Sequence, residues 1–83
     1  MVELKVRYEG QFSKYYCPLD QTLLAIVHDS GSGYVYTPCS HYEWGEYGNL
    51  YYELKAPALN RNAVLRVRNG TTVYILYPKQ SPS

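Results

Sequence analysis

The stretch "AVLRVRNGTTVYILYP", residues 63 to 78, constrains the fold more tightly than any other part of the chain. Asn69-Gly70 stands between two β-rich runs, an arrangement that favours a two-residue hairpin loop of type I′. The second run is apolar on both faces through Val73, Tyr74, Ile75, Leu76 and Tyr77, which places that strand centrally in its sheet. Pro78 closes it, since proline has no amide proton for a ladder, and "KQSPS" reads as a frayed tail. A single compact domain is expected over residues 1–78, with residues 79–83 as that tail.

The N-terminal end repeats the pattern. "VELKVRY" alternates, with Val2, Leu4, Val6 and Tyr8 on one face and Glu3, Lys5 and Arg7 on the other, the period of a half-buried strand. Glu9-Gly10 offers a turn, and "QFSKYYC" follows as a second strand ended by Pro18. "LDQTLLAIVHDSGSG" admits two readings. As a helix, Leu23, Leu24, Ile26 and Val27 share a face, Asp20 or Thr22 caps the start and Gly31 ends it. As a strand, Thr22 to His28 is buried on both faces and "DSGSG" is a hairpin loop. Periodicity does not separate the two over so short a run, and the helix is the expected form. "YVYT" and "LYYELK" read as strands, and "APALNRN" as a connector.

Eighty-three residues suffice for one small core with a thin stability margin, and 46% apolar residues argue against disorder. A net charge of +1 gives no long-range attraction to nucleic acid or anionic lipid. No apolar run approaches the roughly 20 residues of a membrane-crossing helix. The alternating, charged N-terminus is unlike a signal peptide, so a cytoplasmic protein with free thiols at Cys17 and Cys39 is expected. Asn69-Gly70-Thr71 matches a glycosylation acceptor but sits in a tight turn, and no modification is expected there.

The order hairpin, short helix, strand, loop, strand and central last strand resembles the β-grasp, or ubiquitin-like, fold. "LDQTLLAIVHDSG" is similar to the helix segment of plant-type ferredoxins and small sulfur carriers. "TPCS" resembles the approach to the first cluster cysteine of the ferredoxins, and "GTTVYILYP" resembles their last strand. The resemblance implies an α+β fold, a small β-grasp sheet with one short helix. The chemistry does not carry over. A plant-type cluster needs Cys-x4-Cys-x2-Cys, and those offsets from Cys39 fall on Trp44 and Tyr47, with Tyr74 near the position of the late cysteine. The Gly-Gly terminus of the sulfur carriers is replaced by Ser81-Pro82-Ser83. The resemblance thus implies a scaffold without the family's cofactor. The hairpin at Asn69-Gly70 pairs the last strand with residues 63 to 68, which the β-grasp does not do, and it keeps an all-β small barrel or sandwich open as the alternative.

Candidate sites are few. Cys39 and His41 form a short thiol–imidazole spacing that Cys17 and His28 could complete, but structural zinc sites show paired short spacings, so no metal and no other cofactor is expected. In a β-grasp, Cys17 and Cys39 lie too far apart for a disulfide, and such a bond would favour the all-β alternative. Glu43 and Glu46 have no substrate-positioning group beside them, so no enzyme is expected. Arg61, Arg66 and Arg68 make the C-terminal part basic, and Arg66 and Arg68 share a strand face that could grip phosphate.

The remaining feature is "PCSHYEWGEYGNLYYE", dense in aromatic residues and carrying three glutamates without Lys or Arg. Eleven tyrosines are many for so short a chain. Exposed Tyr and Trp among Gly, Ser and Asn is the composition of a protein-binding surface. The expectation is a non-catalytic protein-interaction module, either an accessory subunit or a small inhibitor. It would use Tyr42, Glu43, Trp44, Glu46, Tyr47, Tyr51 and Tyr52 against another protein, one of basic character or a second copy, and no membrane. The alternative is a nucleic-acid-binding β domain using Arg61, Arg66 and Arg68.

Overall fold

The computed structural model describes residues 3–48 and 63–79 and shows seven strands and no helix among them. They are β1 (Lys5–Glu9), β2 (Phe12–Tyr16), β3 (Leu23–His28), β4 (Gly33–Val35), β5 (Tyr42–Gly48), β6 (Leu65–Asn69) and β7 (Thr72–Pro78). Two antiparallel sheets result, one four-stranded in the order β1-β2-β3-β4 and one three-stranded in the order β5-β7-β6. The fold is all-β and sandwich-like. The expected α+β class and the β-grasp resemblance are both overturned, since that fold needs a helix packed on a single sheet.

The correction centres on β3. The run expected as a helix pairs with β2 from Phe12↔His28 to Tyr16↔Leu23, and with β4 through Ala25↔Val35, Ile26↔Tyr34 and Val27↔Gly33. Leu24 and Ala25, adjacent in sequence, are both fully buried. An interior strand covered on both faces accommodates that, and the ladders to β2 and β4 exclude a helix. "DSGSG" is the hairpin loop, closed by the His28 amide donating to the Ser32 carbonyl at 2.7 Å, with Gly31 at φ 93°. A register shift opposite Tyr15 and Tyr16 passes over Leu24, so β3 carries a bulge there.

Both two-residue hairpins form. Glu9↔Phe12 and Asn69↔Thr72 are the closing pairs, leaving Gly10-Gln11 and Gly70-Thr71 as the loops. In each, the glycine has φ 62° and its neighbour lies outside the left-handed region. That is the type II′ pattern, with glycine at the first central position, rather than the expected I′. Asn69 is therefore the last residue of β6, and its side-chain amide donates to the Gly33 carbonyl at 2.9 Å. Strand β7 is central, as its two-sided apolar character implied.

The main core joins the sheets. Cys17, Leu24, Cys39, Tyr42 and Leu76 are buried together, with Leu4, Trp44, Val64 and Leu65 packed against them. A smaller cluster, Val73 and Ile75 with Tyr47, Ala63 and Tyr77, lies on the other face of β7. At one end the sheets touch edge to edge. Ser32 and Arg68 form an isolated parallel bridge, and the Arg68 amide donates to the Gly31 carbonyl at 3.2 Å.

Candidate functional site

Residues 42–48 of the aromatic stretch form strand β5, whose alternation sorts the expected partner-binding residues that are described. Tyr42 is buried in the main core, and burial pushes its hydroxyl pKa up. Trp44 is half-buried, meets the Tyr74 ring edge-on at 6.4 Å and donates its indole N–H to the Tyr36 carbonyl at 3.0 Å. Tyr47 is half-buried, with its hydroxyl 3.4 Å from that of Tyr77. Glu43 and Glu46 are exposed, and their odd spacing in a strand sends them to opposite faces. Tyr51 and Tyr52, the strand expected at "LYYELK", and Arg61 lie outside the described residues. Arg66 and Arg68 do share an exposed face of β6, with buried Val67 between them.

Among the described residues, the most exposed aromatic side chains lie outside β5. Tyr34 is 65% exposed, Phe12 46% and Tyr36 41%. Strand register explains the grouping. Arg7, Lys14, Ile26 and Tyr34 lie side by side across the four-stranded sheet, and Glu9, Phe12 and His28 form the next row. Where this face meets β6, a groove of about 350 Å³ opens, lined among others by Phe12, Ile26, His28, Tyr34, Arg68 and Asn69. Lys14 is paired with Glu9 at 2.9 Å.

His28 is held by its own loop. The Ser30 amide donates to His28 Nδ1 at 3.1 Å, so that nitrogen is the acceptor and Nε2 carries the proton. Nε2–H then donates to Gln11 Oε1 at 3.2 Å, and the ring meets Phe12 edge-on at 5.3 Å. Both nitrogens are occupied, which removes His28 from the ligand set suggested by sequence.

The other three members of that set do come together, with an addition. At the far end of β2 and β3 from the groove, the donor atoms of Cys17, Asp20, Cys39 and His41 all lie within 4.8 Å of one another. The turn "CPLDQT" supplies Cys17 and Asp20. It is closed by the Cys17 amide donating to the Thr22 carbonyl at 2.9 Å and the Gln21 amide donating to the Cys17 carbonyl at 3.0 Å. Asp20 Oδ1 accepts the Thr22 amide at 3.0 Å, and the Thr22 contacts hold its carboxyl below the ordinary range. Burial pushes the Cys17 thiol up, while the backbone N–H groups of Asp20 and Leu19, donating toward its sulfur, pull it down. Cys39 and His41 approach from the segment entering β5, where the His41 carbonyl accepts the Lys79 amide at 2.9 Å. Both cysteines are buried and free rather than joined in a disulfide. Asp20 escaped the sequence reading because a lone aspartate in a turn looks like a cap. Its position three residues after Cys17 was the only available signal.

No family model, no curated protein and no solved structure matches the chain.

Proposed function

We propose that the chain is a non-catalytic binding module whose partner is another protein, held at the aromatic groove between the four-stranded sheet and β6. The supporting observation is the exposure of Phe12 and Tyr34 beside that groove. Rigid aromatic side chains offer large contact area with few torsions to freeze, and they dominate binding energy where they fill a partner's pockets. Arg7 lies in the Tyr34 row and Arg68 on the groove wall, which suits an acidic partner segment and speeds encounter. Glu43 and Glu46, on opposite faces of β5 and outside the groove lining, carry the opposite charge.

Arg68 beside Phe12 and Tyr34 also favours a second reading, single-stranded nucleic acid, which pairs stacking aromatics with cations. A photo-crosslinking residue at position 34, used in a native lysate, separates these readings. Protein adducts that disappear on Phe12→Ser support the proposal. Adducts to nucleic acid, with binding that weakens steeply in added salt, support the second reading. Capture that survives Phe12→Ser but fails in Glu43→Lys/Glu46→Lys moves the contact to β5.

A further inference from the structure

We propose that Cys17, Asp20, Cys39 and His41 form a tetrahedral zinc site that clamps the β2–β3 turn to the segment entering β5. Their donor atoms converge from two chain segments about twenty residues apart in sequence. The bland reading is a pair of buried thiols packed as small hydrophobes, with a surface imidazole and carboxylate nearby. Geometry argues against it. His41 Nδ1 lies 3.6 Å from Cys17 Sγ and 3.6 Å from Asp20 Oδ2. The second distance is too long for an N–H···O hydrogen bond. The Cys17 thiol can donate to that nitrogen, but this leaves the Asp20 contact without a hydrogen bond. A shared cation accounts for the first spacing and brings the second within a small side-chain adjustment: with Zn–S about 2.3 Å and Zn–N about 2.0–2.1 Å, adjacent sulfur and nitrogen ligands of a tetrahedron stand roughly 3.5–3.6 Å apart, and nitrogen and oxygen ligands roughly 3.3–3.5 Å.

Donor chemistry selects the ion. Two thiolates and an imidazole suit zinc and reject calcium and magnesium, which take oxygen. An iron–sulfur cluster takes four thiolates, or two thiolates and two imidazoles in the Rieske form, and this set has two thiolates, one imidazole and one carboxylate. On binding, the two thiols release their protons to solvent and no electron moves. With all four positions supplied by protein the site is closed, which is the structural rather than the catalytic form. Asp20 already uses Oδ1 on the Thr22 amide, leaving Oδ2 for the ion, and the turn around Cys17 is closed by its own backbone hydrogen bonds. The gain falls where a small domain needs it, because one ion crosslinks segments that a thin core holds only weakly.

The test is metal content and competition on the full chain, purified under reducing conditions without chelator. The expected result is one zinc per chain by elemental analysis. Replacement by Co²⁺ should give intense visible bands with thiolate-to-metal charge transfer, and a strong chelator should lower the melting temperature. His41→Ala and Asp20→Ala alter side chains outside the buried core. Each should weaken zinc, in competition with a chromophoric chelator, by at least the roughly 10–100-fold that follows when a group merely supporting a ligand is removed. His28→Ala should leave affinity unchanged. The proposal is overturned by a metal-free wild-type chain that gives no charge-transfer band on Co²⁺ addition. It is equally overturned by a Cys17–Cys39 disulfide in the freshly purified chain, or by His28→Ala weakening zinc as much as His41→Ala.

Discussion

Single side chains in this molecule take their roles from the strand face they land on. Glu9 and Lys14 sit diagonally across the β1–β2 hairpin and form a 2.9 Å ion pair. The pair lowers the Glu9 pKa and raises that of Lys14, in both cases chiefly through the hydrogen bond between them. Because the folded Glu9 value is depressed, its contribution to stability is present above the unfolded carboxyl pKa and is lost as pH falls through the folded value. For Lys14 the sign reverses: the contribution is present below its unfolded value and lost as pH rises through the folded one. Glu9 is exposed and Lys14 only half-buried at the surface, so the effect on stability is small and weakens in salt. Carbon-detected NMR titration should show Glu9 titrating below an ordinary glutamate, and Lys14→Met should return it toward that range. An unshifted Glu9 in the wild type would mean the pair does not persist in solution. Hairpin, faces and alternation here were all legible from "VELKVRYEGQFSKYY". The ion pair itself was not, because it depends on the pairing register.

At the scale of elements, the two ends of the chain were readable and the middle was not. Both hairpins could be found because glycine at a two-residue turn is a local chemical requirement. The turn type was misread because it depends on which residues make the last ladder pair. Strand β3 was misread as a helix because Leu23, Leu24, Ile26 and Val27 satisfy a helical face, and the bulge passing over Leu24 breaks the alternation that would have identified a strand. The β3–β4 pairing has one narrow point. A Cβ on Gly33 would stand 2.2 Å from the Ile26 carbonyl oxygen and 2.9 Å from Val27 Cα, both backbone atoms that cannot rotate away. Gly33→Ala should therefore cost about 1–3 kcal/mol, the range for overpacking. The measurement is urea unfolding, and a variant as stable as wild type would show that β4 does not approach β3 so closely.

For the whole molecule, the larger of the two cores among the described residues is a thin layer between the sheets. Leu24 is fully buried against Cys17, Tyr42 and Leu76, whereas Leu19, five residues earlier, is 59% exposed. Leu24→Ala should cost about 2–5 kcal/mol, the loss typical of a buried leucine, a large part of what a small domain has in reserve. Leu19→Ala should stay within about 0.5 kcal/mol of wild type. Equal effects by thermal or urea melting would mean that the core is not where the sheets meet. The same layer explains the fate of the aromatic stretch. Tyr42 turns into it, and Trp44 packs against it with the indole N–H tied to Tyr36. Phe12 and Tyr34, from segments that had not stood out, remain open to water.

Local chemistry was enough to specify the strands flanked by clear turns, the central position of β7 and the lack of a plant-type cluster ligand set. Each follows from residue types a few positions apart: alternation, glycine at a turn, proline at a strand end, missing cysteines. Tertiary structure alone decided that residues 23–28 form a strand, that the aromatic stretch faces partly inward, and that Asp20 joins Cys17, Cys39 and His41. In those cases the free energy of a short run is nearly balanced between conformations or roles. The balance is tipped by partners distant in sequence: β2 and β4 for the strand, the facing sheet for Tyr42, and a second chain segment for the donor cluster.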